Sequence, residues 1–385
     1  MRKWILALII PCFFFGENIT VIGIGRLGLC IALSLEQAGY HVLGVDLSPD
    51  YIAKLNEKTF RSPEPFVNDY LEKSRHFRAT TSLVEGLAFS DLILIAVTTT
   101  VGVDSYDFRY LTQLVADINS HRVANKEIVI CSTLFPGHIQ NHVLPALKDC
   151  TDVTVSYNPP FIAQGEIIKI FRFPDIVLIG EGSREVGDRL EKIYQKVCPN
   201  APQIERMSVA SAEIAKLALN CFVTAKIAYA NLVADIADET PGADKWAILK
   251  AVGKDSRIGS KCLRPGYGFG GPCFPRDNRG LGRYAELKGI EPVIFYATDR
   301  ANDQHADYMA RKFIEQDLSE YVFEDVSYKP NSPVAIIEAS QKLAVAQKVA
   351  AAGKKVTLID KKAVLDQVIA QYGDLFKYKE QSCQN

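Results

Sequence analysis

Asn18-Ile19-Thr20-Val21-Ile22-Gly23-Ile24-Gly25-Arg26-Leu27-Gly28 is the stretch that decides the fold. A short β-forming run leads into glycines spaced Gly-x-Gly-x-x-Gly, and a helical segment follows from about Leu29 to Ala38. Gly23 suits the tight turn, Gly25 lets the backbone approach a pyrophosphate, and Gly28 allows close packing of helix on strand. The helix N-terminus then offers free N–H groups and a favourable dipole to phosphate. Such glycines alone are weak evidence. Here the next strand ends in Asp46, placed to bind the diol of an adenosine ribose, and the order is strand, turn, helix, strand. The same carboxylate would repel a 2′-phosphate, so the expected cofactor is NAD and not NADP. Its candidate contacts are Gly23, Gly25, Arg26, Leu27, Gly28 and Asp46, with Thr98 and Thr133 after later strands.

Outward from that motif, Ile19–Ile24, His41–Asp46, Asp91–Val97, Glu127–Ser132, Val153–Tyr157 and Asp175–Ile179 read as strands alternating with helices. Their near-continuous Val, Ile and Leu content predicts burial on both faces, as in a Rossmann-type doubly wound parallel sheet. The rhythm changes after Met207: residues 208–239 hold no Gly or Pro and predict one long helix, stopped by Pro241-Gly242. A second helix is expected over Lys245–Val252, then a Gly-rich loop over 259–277. The tail returns to α/β character in the strand Tyr321–Ser327, the helix Glu338–Ala352 and the strand Lys355–Asp360, with little expected beyond. The expected domains are an N-terminal extension (1–17), an NAD-binding domain (18–206), a central helical dimerisation and catalytic-loop domain (207–300) and a shortened C-terminal α/β domain (301–385).

Across 385 residues the formal charge is −1, which gives no broad basic surface for nucleic acid or an anionic membrane. The nine cysteines show neither a CxxC pair nor zinc-ligand spacing, so no metal site is expected. Cys30, Cys131 and Cys221 read as small apolar core residues. Arg2-Lys3 followed by an apolar run to Phe15 resembles a signal peptide, but no small-x-small site separates it from the first strand. It is read as a non-native upstream extension, and the expected location is cytoplasmic, where NAD is available.

Two further features carry chemistry. Gly266-Tyr267-Gly268-Phe269-Gly270-Gly271-Pro272-Cys273-Phe274-Pro275-Arg276-Asp277 surrounds one cysteine with four glycines, which would let backbone wrap a ligand and leave the sulfur accessible. A thiol needs activation before it attacks. Lys216 and Asn220 lie one helical turn apart on the long helix and so share a face.

With these residues in view, the chain from Ile19 to Asp360 resembles the UDP-glucose/GDP-mannose dehydrogenase family. The resemblance rests on the glycine turn, Asp46, Ser132-Thr133, Pro136-Gly137, Asn158-Pro159, Ala212 to Asn220, Arg257-Ile258-Gly259, Pro265 to Asp277 and Tyr328-Lys329-Pro330-Asn331. It implies oxidation of a nucleotide-sugar C6 alcohol to the carboxylate, with UDP-glucose the expected substrate and Cys273 forming a thioester. Lys216 and Asn220 would stabilise oxyanions at C6, and Asp277 would act through water as general base or tune Lys216. Gln164, Lys216, Asn220, Arg257, Gly270 and Lys329 are the implied substrate contacts, and the long helix usually forms a homodimer core.

Two departures stand out. Pro160 and Gln164 occupy positions where the family has glutamates tied to thioester hydrolysis, and Val334-Ala335-Ile336-Ile337 replaces an Arg-Glu-Ser segment. Two rival readings stay open: a degenerate nucleotide-sugar binder without catalysis, and a two-electron β-hydroxyacid dehydrogenase. The second has no use for the cysteine loop.

Overall fold

The computed structural model describes residues 16–101, 105–329 and 331–381. The N-terminal extension up to residue 15 lies outside them.

Strands β1 (Asn18–Ile22), β2 (His41–Val45), β3 (Phe77–Thr80) and β4 (Leu92–Ile95) begin the chain, and β5 (Thr100–Val101) and β6 (Ser105–Tyr106) form a small hairpin. Strands β7 (Ala124–Ile130), β8 (Thr151–Tyr157), β9 (Ile176–Glu181) and β10 (Gln203–Ser208) complete the first half. Eight of these form one sheet in the order β10-β9-β8-β7-β4-β1-β2-β3. Its central strands carry Ile19, Val21, Ile93, Ile95, Val129 and Ile130 fully buried, because helices cover both faces. Chain order reverses between β1 and β4, the position at which open α/β sheets bind ligands.

The doubly wound sheet agrees with the sequence reading, with two differences. Strand β9 pairs antiparallel with β8, through Tyr157 and Gly180. Strands β3 and β10 were not foreseen. Both lie at sheet edges, where Phe77-Arg78-Ala79-Thr80 buries only Ala79 and β10 buries no residue fully, so neither shows an apolar run.

The long helix runs Val209–Asp238, and the Ser208 hydroxyl accepts the Ser211 N–H at 3.2 Å as its N-cap. By length and composition it could cross a membrane. In the fold it is the spine, burying Glu213, Lys216, Asn220 and Asn231 against its neighbours. The helices Phe274–Leu287 and Val293–Glu315 pack along it.

The C-terminal unit is a parallel sheet of β11 (Tyr321–Glu324), β12 (Val356–Asp360) and β13 (Lys377–Glu380), in that order. The chain therefore does not run out at Asp360: the helix Lys362–Tyr372 and β13 follow. Lys377-Tyr378-Lys379-Glu380 is a polar edge and so carries no apolar strand pattern. Val334, Ile336 and Ile337 are buried, so this apolar segment serves packing.

Candidate active site

At the C-terminal ends of β1, β2 and β4, a cleft of about 340 Å³ is lined by residues including Gly23, Gly25, Asp46, Ala96 and Thr98. Gly23 has φ +84°, and a Cβ there would meet the Val97 amide nitrogen at 2.9 Å, so the turn requires glycine. Gly25 borders open space, with nothing within 4 Å of where a Cβ would lie, and its backbone is free to approach a phosphate. Gly28 presses on the Gly23 carbonyl. The Tyr51 hydroxyl donates to the Ile24 carbonyl at 2.7 Å, an unforeseen brace on the turn. An open glycine backbone, a helix N-terminus and a half-buried strand-end carboxylate fit a dinucleotide.

The other candidates around this turn differ in placement. Leu27 is half-buried against the core. Thr133 is outside the cleft lining, and its carbonyl accepts the Thr99 hydroxyl at 2.7 Å, tying the loops after β4 and β7 together. Arg26 is not among the residues lining the cleft and donates to Gln164 Oε1 at 2.7 Å.

Cys273 is half-buried at the N-cap of the helix Phe274–Leu287. The glycines before it were expected to wrap a ligand; three of them instead fit protein neighbours. A side chain at Gly268 would strike Asn302, at Gly270 the Ala339 carbonyl, and at Gly271 the Tyr328 ring. Gly271 also has φ +79°, and its N–H donates to the Glu338 carbonyl at 3.1 Å. The loop is thus moulded onto the C-terminal unit. Burial pushes the Cys273 thiol up, while Arg276 and Lys216 pull it down and Asp277 pushes it up.

Lys216, Asn220 and Asp277 converge beside it. Asp277 is fully buried, and its Oδ2 accepts the Asn220 amide at 2.6 Å. Its Oδ1 accepts from Arg276 at 2.7 and 2.9 Å and from the Tyr106 hydroxyl at 3.1 Å. Arg276 stood in the quoted motif without a role, and Tyr106 was missed altogether. Lys216, 5% exposed, donates to the Pro160 carbonyl at 3.0 Å and lies 4.2 Å from the centre of the Phe161 ring. Burial lowers its pKa, against the pull of Asp277 and Cys273.

The remaining candidates are less enclosed. Lys329 pairs with Glu166, joining the C-terminal unit to the loop that carries Gln164. The Glu64 carboxylate fixes that loop from below, accepting the N–H groups of Gly165 and Ile167 at 2.7 and 2.6 Å. Arg257 stands out in solvent, bonded by Asp255 at 2.9 Å, because the two form their own tight turn. Among the described residues no cluster of His, Cys, Asp or Glu suits a metal ion.

A cleft that fits a dinucleotide, together with a half-buried cysteine near buried Lys216, Asn220 and Asp277, fits an NAD-dependent dehydrogenase. Residues 17–198 match the NAD-binding domain of the UDP-glucose/GDP-mannose dehydrogenase family, and residues 210–304 match its central domain. The chain belongs to that family and is an NAD-dependent nucleotide-sugar dehydrogenase. It is 30% identical over 318 residues to the GDP-mannose 6-dehydrogenase of Pseudomonas syringae pv. syringae, covering 77% of this chain and 72% of that one. It is 29% identical over 308 residues to the UDP-glucose 6-dehydrogenase of Rickettsia bellii, covering 78% and 71%. The solved UDP-glucose dehydrogenase of Pyrobaculum islandicum superimposes with a TM-score of 0.86 at 27% identity, over 97% of this chain and 88% of that one.

Proposed function

We propose that this chain oxidises the C6 alcohol of UDP-glucose to the carboxylate through a thioester on Cys273. The observation that carries this reading is the Cys273 thiol at a helix N-cap, within the electrostatic reach of Lys216, Arg276 and Asp277. Simple binding, or a two-electron oxidation, has no use for such a nucleophile. UDP-glucose is favoured by the relatives from Rickettsia bellii and Pyrobaculum islandicum. GDP-mannose is the second reading, on the strength of the Pseudomonas relative.

NAD, held by the Gly23–Gly28 turn and Asp46, supplies the hydride acceptor for each of two oxidations. The chain's own groups do the rest. Loss of hydride and a proton from the C6 alcohol gives an aldehyde. Cys273 Sγ bonds to its carbon and gives up the thiol proton, while the carbonyl oxygen takes a proton and becomes the thiohemiacetal hydroxyl. Oxidation of that adduct leaves the thioester. Water then adds at C6, the C–S bond breaks, and the thiol regains a proton as the acid leaves. The Lys216 ammonium and the Asn220 amide stabilise the oxygen anion at C6 in the additions. Asp277 has its oxygens taken by Asn220, Arg276 and Tyr106, so we assign it the positioning of Asn220 and Arg276 before the role of base.

Lys329 and Arg257 are proposed to meet the nucleotide phosphates after leaving Glu166 and Asp255. On this reading residues 18–206 hold NAD, 207–300 carry the nucleophile, and 301–385 close over the nucleotide, in the cytoplasm. Phe222, Tyr229, Leu232 and Ile236 stand exposed on the long helix at helical spacing, which supports a homodimer. Light scattering tests that. The substrate is tested by NADH release with a panel of UDP-glucose, GDP-mannose and UDP-N-acetylhexosamines: the highest kcat/KM belongs to UDP-glucose, and a higher value for another sugar reassigns the substrate.

A further inference from the structure

His305, 6% exposed on the helix Val293–Glu315, has both ring nitrogens engaged. Nδ1 faces the Asp235 carboxylate at 2.8 and 3.0 Å, and Nε2 faces the Gly266 carbonyl oxygen at 2.8 Å. A carbonyl and an ionised carboxylate only accept, while a neutral imidazole has a single N–H to donate. Both contacts form only when the pair holds two protons. These sit either as imidazolium and carboxylate, or as a carboxyl donating to Nδ1 of a neutral ring that donates through Nε2. With one proton, lone pair meets lone pair at one end.

Gly266 opens the loop that ends at Cys273. Its N–H donates to Asn231 Oδ1 at 3.1 Å. Asn302, one turn before His305 on the same helix, holds the Phe269 residue on both sides: it accepts the N–H at 2.8 Å and donates to the carbonyl at 3.0 Å. Beyond Phe269 the grip passes to Glu338, Ala339 and Tyr328. A loop this rich in glycine has much conformational entropy to lose, so each tether helps to decide where the sulfur sits. Among these tethers the only hydrogen bond that runs through a titratable side chain is that of His305.

The charges facing His305 are otherwise paired. Asp235 and Asp238 of the long helix, Lys245 of the helix Lys245–Gly253, and Tyr308 and Lys312 of its own helix line the adjoining pocket. Lys245 bonds Asp238 at 2.7 Å, and Lys312 and Tyr308 bond Glu239 at 2.6 and 3.0 Å. On the other packed helices, Arg279 pairs with Asp299 and Lys348 with Asp307. Asp235 is left as the carboxylate that meets the ring.

We infer that His305 is a positioning residue for Cys273. The doubly protonated His305–Asp235 pair anchors the start of the cysteine loop, and raising the pH releases it. This rests on the reading of that loop as the one carrying the nucleophile. The test is hydrogen exchange of the 265–273 segment in the full chain, from about pH 6 to about pH 9 with intrinsic exchange corrected, for wild type and His305→Gln. The glutamine NH₂ donates without titrating, and it can keep at most one of the two bonds, the same one at every pH. Wild-type protection falls about tenfold or more with pH, the worth of one hydrogen bond to a buried acceptor, while His305→Gln stays level. A level wild-type profile, or an equal fall in the variant, overturns the inference. Should the variant fail to fold, the wild-type profile decides alone. NADH release from UDP-glucose, measured alongside, separates the two readings. A pH-dependent loop with no NADH supports the anchor and removes UDP-glucose as the substrate. NADH with a level loop removes the anchor only.

Discussion

The Lys216 ammonium donates to the carbonyl oxygen of Pro160 at 3.0 Å. A backbone oxygen thus meets Lys216 at the position where the family has a glutamate. With the Phe161 ring on another side, the carboxylate that acts on Lys216 is Asp277. On the proposed mechanism, the site is therefore short of negative charge where water attacks the thioester.

Lys216→Met should lower kcat by roughly 10²–10³, the usual cost of removing an oxyanion donor. The same change should stabilise the fold. The folded chain holds the lysine's pKa below its ordinary value of 10.5, so the unfolded chain binds the extra proton more tightly. Stability contributed by this site then rises as pH climbs from the folded value to the ordinary one, and at pH 7 the buried charge costs free energy. Replacing it by an apolar side chain of similar length should gain about 1 kcal/mol or more, read as a higher Tm. A lower Tm would show that Lys216 holds the site together by its bonds to Pro160 and its neighbours.

Pro160→Glu should place an acid beside Lys216 and speed thioester hydrolysis by about tenfold or more, a fraction of the roughly 10²–10⁴-fold that general-base assistance usually contributes. The first turnover should change little. Gln164→Glu should do less, since Arg26 would pair with the new carboxylate and weaken it as a base. Steady-state and burst rates of both variants check this; an equal gain from each would place the missing base at 164 as much as at 160.

How far the site could be read in advance depended on range. The Gly23–Gly28 turn and Asp46 are short-range signals, since residue types and spacing dictate them, and Gly23, Gly25 and Asp46 line the cleft. Tyr106 donates to Asp277 across 171 positions, and no local pattern reports such a pair. Pro160 acts through its carbonyl, which every residue carries, so the sequence showed only a lost glutamate. The glycines around Cys273 announced close approach correctly but not to what; Asn302, Ala339 and Tyr328 come from later segments. Strands β3, β10 and β13 are polar edges and hide among loops for the same reason that edge strands resist aggregation.

Asp46 should make NAD preferred over NADP by at least ~1.4 kcal/mol, about tenfold in kcat/KM. Asp46→Ser should shrink that ratio by weakening NAD more than NADP. Equal kcat/KM for the two cofactors in the wild type would remove Asp46 from the ribose.

The most direct test of the central claim is rapid-mixing NADH absorbance with UDP-glucose, followed by intact-protein mass spectrometry of the quenched enzyme. The account predicts a fast burst approaching two NADH per active site, then a slower steady state, with a uronyl adduct that is absent in Cys273→Ser. One NADH per substrate with no adduct would contradict the thioester and return the chain to simple two-electron chemistry.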